Sequence, residues 1–527
     1  MKAKVSKRFA KRKDRQQRVN AKLRRQHADR KRRIQRRLDK ENLQGCGKPM
    51  FTANFCRYEY SERCRGLGYG GIGAMHQLAK NIGLLDAIDK KLFALKIHLP
   101  YHESDHVANI AYIPLSGGTC LQDLELLRND EAYLDALGAR RIPDPTTAGD
   151  FCRRFDEGHI LTLQDLIDDV RIGVWAEQPP EFFVQAKLDM DGTLVGTTGE
   201  CKQGMDMGYD RTWGYHVFVL TLANTGEIMR LVNRPANRPS HEGAAAQVDR
   251  ALATCFRGGF QTALLRGDTD FSQTEYLDGW NADKRVQFIF GYDAKANLNA
   301  IADGLPADAW RPLERPAKYE VKTKQRTRPD NVKEAVIIER KYENLKLLGE
   351  DVAEFHYRPT ACEVDYRMVV IRKDIAVEKG GVFQFDKYRY FYYITNDRVS
   401  AASEIVFLAN DRCNQENILE QLKNGVRALR APVNTLLSNW AYMVMTALSW
   451  NLKAWWALKL PEGPGRWQEK YQAEKRWVLK LEFKAFANAF IRIPCQLVKS
   501  SRQLVYRLLS WNPYQPIFFR LVAALRC

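Results

Sequence analysis

Two stretches decide how this chain folds: EFFVQAKLDMDGT at 181–193 and TALLRGDTDF at 262–271. Each is an apolar run of strand length whose end carries acids and a glycine. Asp189 and Asp191 stand at i and i+2, so a strand projects both to one face, and Asp268 and Asp270 repeat that spacing. A single strand-end aspartate usually caps a turn. Two such ends side by side in one sheet gather carboxylates that repel one another unless a cation neutralises them. An all-oxygen set of ligands selects hard Mg²⁺, with Mn²⁺ as a substitute.

Around these stretches the pattern is that of a mixed sheet. YHVFVLTLANTGEIMRLVN (215–233) is two apolar runs joined by Asn-Thr-Gly, a hairpin. Helical spacing follows over 242–256, and VQFIFGYD (286–293) is one more strand. Three antiparallel strands followed by alternating helix and strand predict an α/β core over 182–296. Residues 297–403 begin polar and rich in Pro and Lys. They then give four β-like segments, AVIIERKY (335–342), VAEFHYRP (352–359), YRMVVIRKD (366–374) and YRYFYYITN (388–396). This predicts a β-rich insertion. Residues 50–181 read as a helical N-terminal region. Within it PDPTTAGDFCRRF (143–155) predicts a turn and then a new helix with Arg153 and Arg154 early in it, an arrangement suited to DNA binding. Helical patterns return over 404–460 and 461–527, with PEGPG (461–465) as the break. The uncharged stretch 431–452 is interrupted by Asn, Ser and Thr, so it predicts a buried helix rather than a membrane span.

Composition bounds the function. With 527 residues and 45% apolar content the chain is neither a disordered polymer nor a small disulfide scaffold. The net charge is +19, yet residues 1–40 alone hold 19 Lys and Arg against 3 Asp. Residues 1–49 therefore predict a basic arm, disordered by itself and helical on a polyanion, that seeks polyanions and above all nucleic acid. The eleven cysteines are odd in number and form no CxxC, which predicts a reducing, cytoplasmic compartment without structural zinc. The chain opens with no apolar leader.

A third acid lies in NDRCNQENILEQLKNG (410–425). If 412–423 is helical, Arg412, Glu416 and Lys423 share one face. Such a face is commonly a solvated, salt-bridged one. Beside a strand-borne acid cluster it gives Glu416 to the metal and Arg412 and Lys423 to phosphates on either side.

In this ordered set the chain resembles the DDE transposases of bacterial insertion sequences, most closely the insertion-sequence family numbered 1380. LDMDGT resembles that family's first acid motif and LLRGDTDFS its second. R-x3-E-x6-K resembles the superfamily's signature helix, usually Y-x2-R-x3-E-x6-K, with Ala409 here in place of the tyrosine. SDHVANIAYIPLSGGTCLQDLELLRND (104–130) and PDPTTAGDFCRRF resemble its helical N-terminal region. The resemblance covers about residues 50–460 and extends further. It implies an RNase H-like catalytic core interrupted by the β-rich insertion. It implies Asp191, Asp268 and Glu416 as catalytic, metal-binding acids, with Asp189 and Asp270 as alternatives, and Arg412, Lys423, Arg153 and Arg154 as DNA contacts. It implies Mg²⁺-dependent cleavage of double-stranded DNA at the terminal inverted repeats, through a hairpin, followed by strand transfer into target DNA. Holding two ends implies a homodimer in a synaptic complex, in the bacterial cytoplasm and at the nucleoid when bound to DNA. A hairpin also calls for an aromatic platform, for which Trp310 and Tyr292 are candidates, although packing in the core explains either. The rival functions are a non-catalytic DNA-binding protein derived from a transposase, a metal-dependent nuclease that does not join ends, and an RNA-associated protein that relies on the arm.

Overall fold

The computed structural model describes residues 2–39, 56–60, 64–98, 100–315, 332–463, 465–500 and 503–525. Residues 40–49 of the arm, Cys46, Cys527 and the Lys-rich stretch 316–331 lie outside these. The chain forms two compact units. One comprises Met1–Glu177, Gln421–Ala428 and Ala441–Cys527, the other Gln178–Glu420 and Leu429–Trp440.

The first unit unites the N-terminal helical region with the C-terminal one. Its N-terminal part is a series of short helices, among them Ile72–Asn81, Leu84–Lys91, Glu103–Leu115, Pro145–Arg153 and Glu157–Trp175. The stretch AMHQLAKNIGLLDAIDKKLFAL (74–95) has apolar residues at helical spacing, but its helix breaks at Gly83, whose φ of +73° is left-handed backbone that glycine enters without strain. The C-terminal region is not all helix, as the sequence predicted. Cys495–Ser500 and Gln503–Leu508 form a hairpin that pairs with Arg65–Leu67 in a three-stranded sheet. Six-residue apolar runs carry too few periods to separate strand from helix. Residues 436–452 of the uncharged stretch lie in the helix Leu436–Leu458, where Trp455 and Trp456 are fully buried and Ser449 donates to the Ala111 carbonyl at 2.6 Å. Among the described residues no helix is long and apolar enough to cross a membrane.

The arm departs from its expected disorder. Lys2–Leu38 is one helix. Lys, Arg, Gln and Ala have high helix propensity, and neither Gly nor Pro interrupts the run. Tertiary contacts add to this: His27 and Arg30 bond to the carbonyls of Asn512 and Ser510, each at 3.2 Å.

The second unit is built on one large sheet. Its first strands are β1 (Gln185–Gly196), β2 (Trp213–Leu222), β3 (Glu227–Pro235), β4 (Thr262–Gly267) and β5 (Val286–Tyr292). The β2–β3 hairpin turns through Gly226 at φ +74°. β1 pairs antiparallel with β2, and β2 with β3. After the helix α1 (Ala244–Arg257) the chain returns so that β4 runs parallel to β1, and β5 then runs parallel to β4. The order is β3-β2-β1-β4-β5.

The inserted strands β6 (Glu343–Tyr357), β7 (Tyr366–Lys379) and β8 (Val382–Thr395) do not make a separate body. β8 pairs antiparallel with β5, so they extend the same sheet in the order β5-β8-β7-β6. The first predicted β segment, 335–342, instead falls largely in the helix Val332–Glu339, its apolar run being flanked by Glu, Arg and Lys. The helix α2 (Ala402–Asn410) packs Ile405 and Val406 against Leu264, Ile289, Val369 and Ile371. It thereby covers β4, β5 and β7 and leads the chain to the third acid.

Candidate active site

The parallel register of β1 and β4 builds the site. Asp189 stands opposite Arg266. Arg266 donates from Nε and Nη2 to the two carboxylate oxygens of Asp189 at 2.7 and 2.9 Å, and from Nη1 to the Leu408 carbonyl at 2.8 Å. Both side chains are buried, at 2% and 1% exposure. Asp189, an alternative first acid on spacing alone, is thus committed to a buried bidentate ion pair. Two residues further on, where the ladder between β1 and β4 has ended, come Asp191 in β1 and Asp268 just past the end of β4.

The turn after β4 fixes Asp268. Its carboxylate accepts from the Asp270 N–H at 3.1 Å and caps the short turn Thr269–Phe271. Phe271 is buried, 5.7 Å from the Phe218 ring, and anchors the turn. On β5 a Cβ at Gly291 would stand 2.9 Å from the Thr269 nitrogen, so glycine lets the turn close over the strand end.

Two carboxylates therefore meet in a partly desolvated place. Asp268 is pushed up to about 6, first by burial and then by the charge of Asp191, with Arg412 opposing and Asp270 adding. Asp191 is raised by burial, which outweighs Arg412 and the Gly192 N–H, and Glu416 adds to it. The Asp191 Oδ2 accepts from Arg412 Nη1 at 3.2 Å and its Oδ1 from the Gly192 N–H at 2.8 Å.

The segment predicted as one helix over 412–423 is three pieces: a 3-10 turn Asp411–Cys413, the helix α3 (Asn414–Glu420) and a π turn Gln421–Gly425. A residue the sequence did not single out, Gln415, seats it. Gln415 is fully buried, donates to the Val219 carbonyl at 3.0 Å and accepts from the Thr221 hydroxyl. With Gln415 pinned on β2, Glu416 stays exposed and its charge reaches Asp191. Lys423 falls in the π turn, in the first unit. Ala409 packs against the core beneath α2.

Other expected residues are placed differently. Arg153 and Arg154 end the helix Pro145–Arg153 rather than begin one, because Asp144 caps it, accepting from the Thr147 N–H at 2.8 Å, and Pro145 opens its first turn. Arg153 pairs with Asp150 at 2.5 Å. Tyr292 is buried in the sheet, whereas Trp310 is half-buried with the Arg372 guanidinium 4.3 Å from its ring centroid. Asp270 is exposed, and its carboxylate accepts from the Ser240 hydroxyl at 2.8 Å.

Among the described residues no three His, Cys, Asp or Glu side chains are gathered closely enough to hold a metal ion. The donor chemistry of the Asp pair nevertheless fits a hard divalent cation. Both side chains offer only oxygen, both carboxyls are raised by burial, and the charge of Asp191 lifts Asp268 further.

Residues 68–527 match the family described as transposase DDE domain group 1, and the chain belongs to that family. It is thus a DDE transposase by descent, an assignment resting on nearly the whole sequence. No curated protein matches. Among solved structures, a piggyBac transposase synaptic complex with hairpin DNA is similar at 9% identity and a TM-score of 0.36, over 81% of this chain and 83% of that one.

Proposed function

We propose that the second unit is an RNase H-like core whose Asp191, Asp268 and Glu416 are the catalytic acids of a cut-and-paste DNA transposase. The observation that carries this is the register of β1 and β4, which sets Asp191 beside Asp268 two residues past a closed ion pair. The strand order β3-β2-β1-β4-β5, with the first three antiparallel and the last two parallel, supports the fold, and membership of the DDE family supports the chemistry.

Asp191 and Asp268 would hold Mg²⁺ through carboxylate oxygens, with Glu416 brought in from α3. Bound there, Mg²⁺ lowers the pKa of an attacking water or 3′-hydroxyl and stabilises the leaving oxygen. Arg412, now paired with Asp191, would turn its fork to a DNA phosphate once that carboxylate binds a cation. Lys423, Arg153, Arg154 and the basic helix would contact the DNA backbone. Cleavage at the terminal repeats through a hairpin, transfer into target DNA, the homodimer and a bacterial insertion-sequence origin belong to the same proposal. Trp310, capped by Arg372, is the better placed of the two aromatic candidates for an unstacked base.

The test is Mg²⁺-dependent cleavage of a supercoiled plasmid carrying the parent element. Asp191→Ala, Asp268→Ala and Glu416→Ala should each lower cleavage about a thousandfold, the several kcal/mol that a metal's charge stabilisation supplies. Wild-type protein that binds the plasmid and never cuts it would favour the non-catalytic DNA-binding alternative. Nicking without joining would favour the nuclease.

A further inference from the structure

The loop between β3 and α1, residues 236–243, is fastened more firmly than its polar sequence requires. Arg234, buried at the end of β3, donates from Nη2 to the Ser240 carbonyl at 2.8 Å and from Nη1 to the Glu242 carbonyl. His216, buried on β2, has its Nδ1 2.9 Å from the Arg238 carbonyl, an atom that only accepts, so this nitrogen carries the proton. Arg238 pairs with Glu242, and Asn237 donates to Asp206 at 2.6 Å.

What this clamp presents is Ser240. Its hydroxyl donates to the Asp270 Oδ2 at 2.8 Å and lies 3.5 Å from His216 Nε2. The same two residues lie against the backbone that carries Asp191. A Cβ at Gly192 would stand 2.7 Å from His216 Nε2 and 3.0 Å from Ser240 Cβ, so both side chains close tightly on the backbone directly after Asp191. One serine is therefore held against both strand ends of the acid pair.

We propose that Ser240 is a positioning residue for the acid pair: by binding Asp270 it holds the turn 268–271 so that Asp268, and not Asp270, faces Asp191. This rests on the carboxylate site proposed above. Ser240 touches no reacting atom. It acts through Asp270, and Arg234 and His216 act through Ser240. Asp270 is then the retaining group of the turn rather than the second acid.

The test measures Mn²⁺ binding to the full chain without DNA by electron paramagnetic resonance, alongside plasmid cleavage. Ser240→Ala should weaken Mn²⁺ binding ~10-fold or more, the usual cost of removing a group that orients a ligand. Ser240→Thr, which keeps the hydroxyl, should restore most of it. Asp270→Ala should match Ser240→Ala, and the double variant should lose no more than either single one, because both remove the same bond. Thermal unfolding of Ser240→Ala and Ser240→Thr separates a lost fold from a lost position. Mn²⁺ binding by Ser240→Ala at the wild-type level, no rescue by Thr, or additive losses in the double variant would each overturn the proposal. If Asp191→Ala and Asp268→Ala also bind Mn²⁺ like the wild type, the carboxylate site itself is wrong and both proposals fall. If those two lose binding while Ser240→Ala does not, only the role of Ser240 is lost.

Discussion

Two levels of the same strand pair behave in opposite ways. At the first, Asp189 on β1 faces Arg266 on β4, and the two close a bidentate pair with almost no exposure. At the second, two residues on, Asp191 meets Asp268 and each carboxyl is raised. The strands are shared, but the first level is sealed while Asp191 and Asp268 are partly exposed, and Asp191 meets the charge of Asp268 as well as that of Arg412. An acid opposite a base is satisfied and belongs to the scaffold. An acid opposite an acid leaves charge that an added cation can neutralise. The comparison shows what spacing alone does not: the register pairs Asp189 with Arg266 and leaves Asp191 to meet Asp268.

The largest expected effect breaks the first level. Asp189→Ala leaves the Arg266 guanidinium buried with only the Leu408 carbonyl, and should cost about 3–5 kcal/mol in chemical denaturation. Replacing both partners by apolar residues, Asp189→Leu with Arg266→Met, should recover most of that loss. Asp191→Ala should cost no stability at all while removing cleavage. Equal destabilisation by Asp189→Ala and Asp191→Ala would erase the distinction between the levels.

The second level should show in the pH dependence of stability. The folded Asp268 carboxyl titrates near 6 against an ordinary value of 3.8. Between those values the folded chain holds the proton that the unfolded chain has released, so stability falls as pH rises from about 4 to 6 and stays lower above. The loss is about 2–3 kcal/mol in metal-free buffer. Asp268→Asn should remove this slope and be more stable than wild type at pH 7. Unfolding midpoints recorded across that range would show it, and an unchanged slope in Asp268→Asn would assign the repulsion elsewhere.

Much of this arrangement was written in local sequence. Apolar runs ending in acids located β1 and β4, and Asn-Thr-Gly located the hairpin between β2 and β3. The predicted order of antiparallel strands followed by helix and strand matches the observed sheet. What the sequence hid depends on partners distant along the chain. Arg266 in the apolar run TALLRG was a signal, since a charge in a buried strand needs a counter-charge, but nothing local named Asp189. Gln415 and Ser240 read as ordinary polar residues because their partners, Val219 and Asp270, are set by tertiary packing. The segment 335–342 and the C-terminal hairpin were misread for one reason: a short apolar run suits helix and strand alike.

Gln415 offers the finest probe, because it separates carrying the third acid from being it. The ladder between β2 and β3 shifts register between Leu220 and Thr221, where the Gln415 amide docks on Val219 and Thr221. Gln415→Leu keeps the volume but leaves a buried carbonyl and a buried hydroxyl without their partner, at a cost of about 1–3 kcal/mol. Released from β2, α3 no longer fixes Glu416, so cleavage should fall along with the unfolding midpoint. Glu416→Gln, at an exposed position, should leave the midpoint in place and still abolish cleavage. Recovery of the unfolding midpoint by Gln415→Glu at low pH, where a protonated carboxyl can donate to Val219, would show that the amide serves to seat the helix. Cleavage unaffected by Gln415→Leu would mean that Glu416 is positioned by some other contact, and α3 would then owe its place to packing alone.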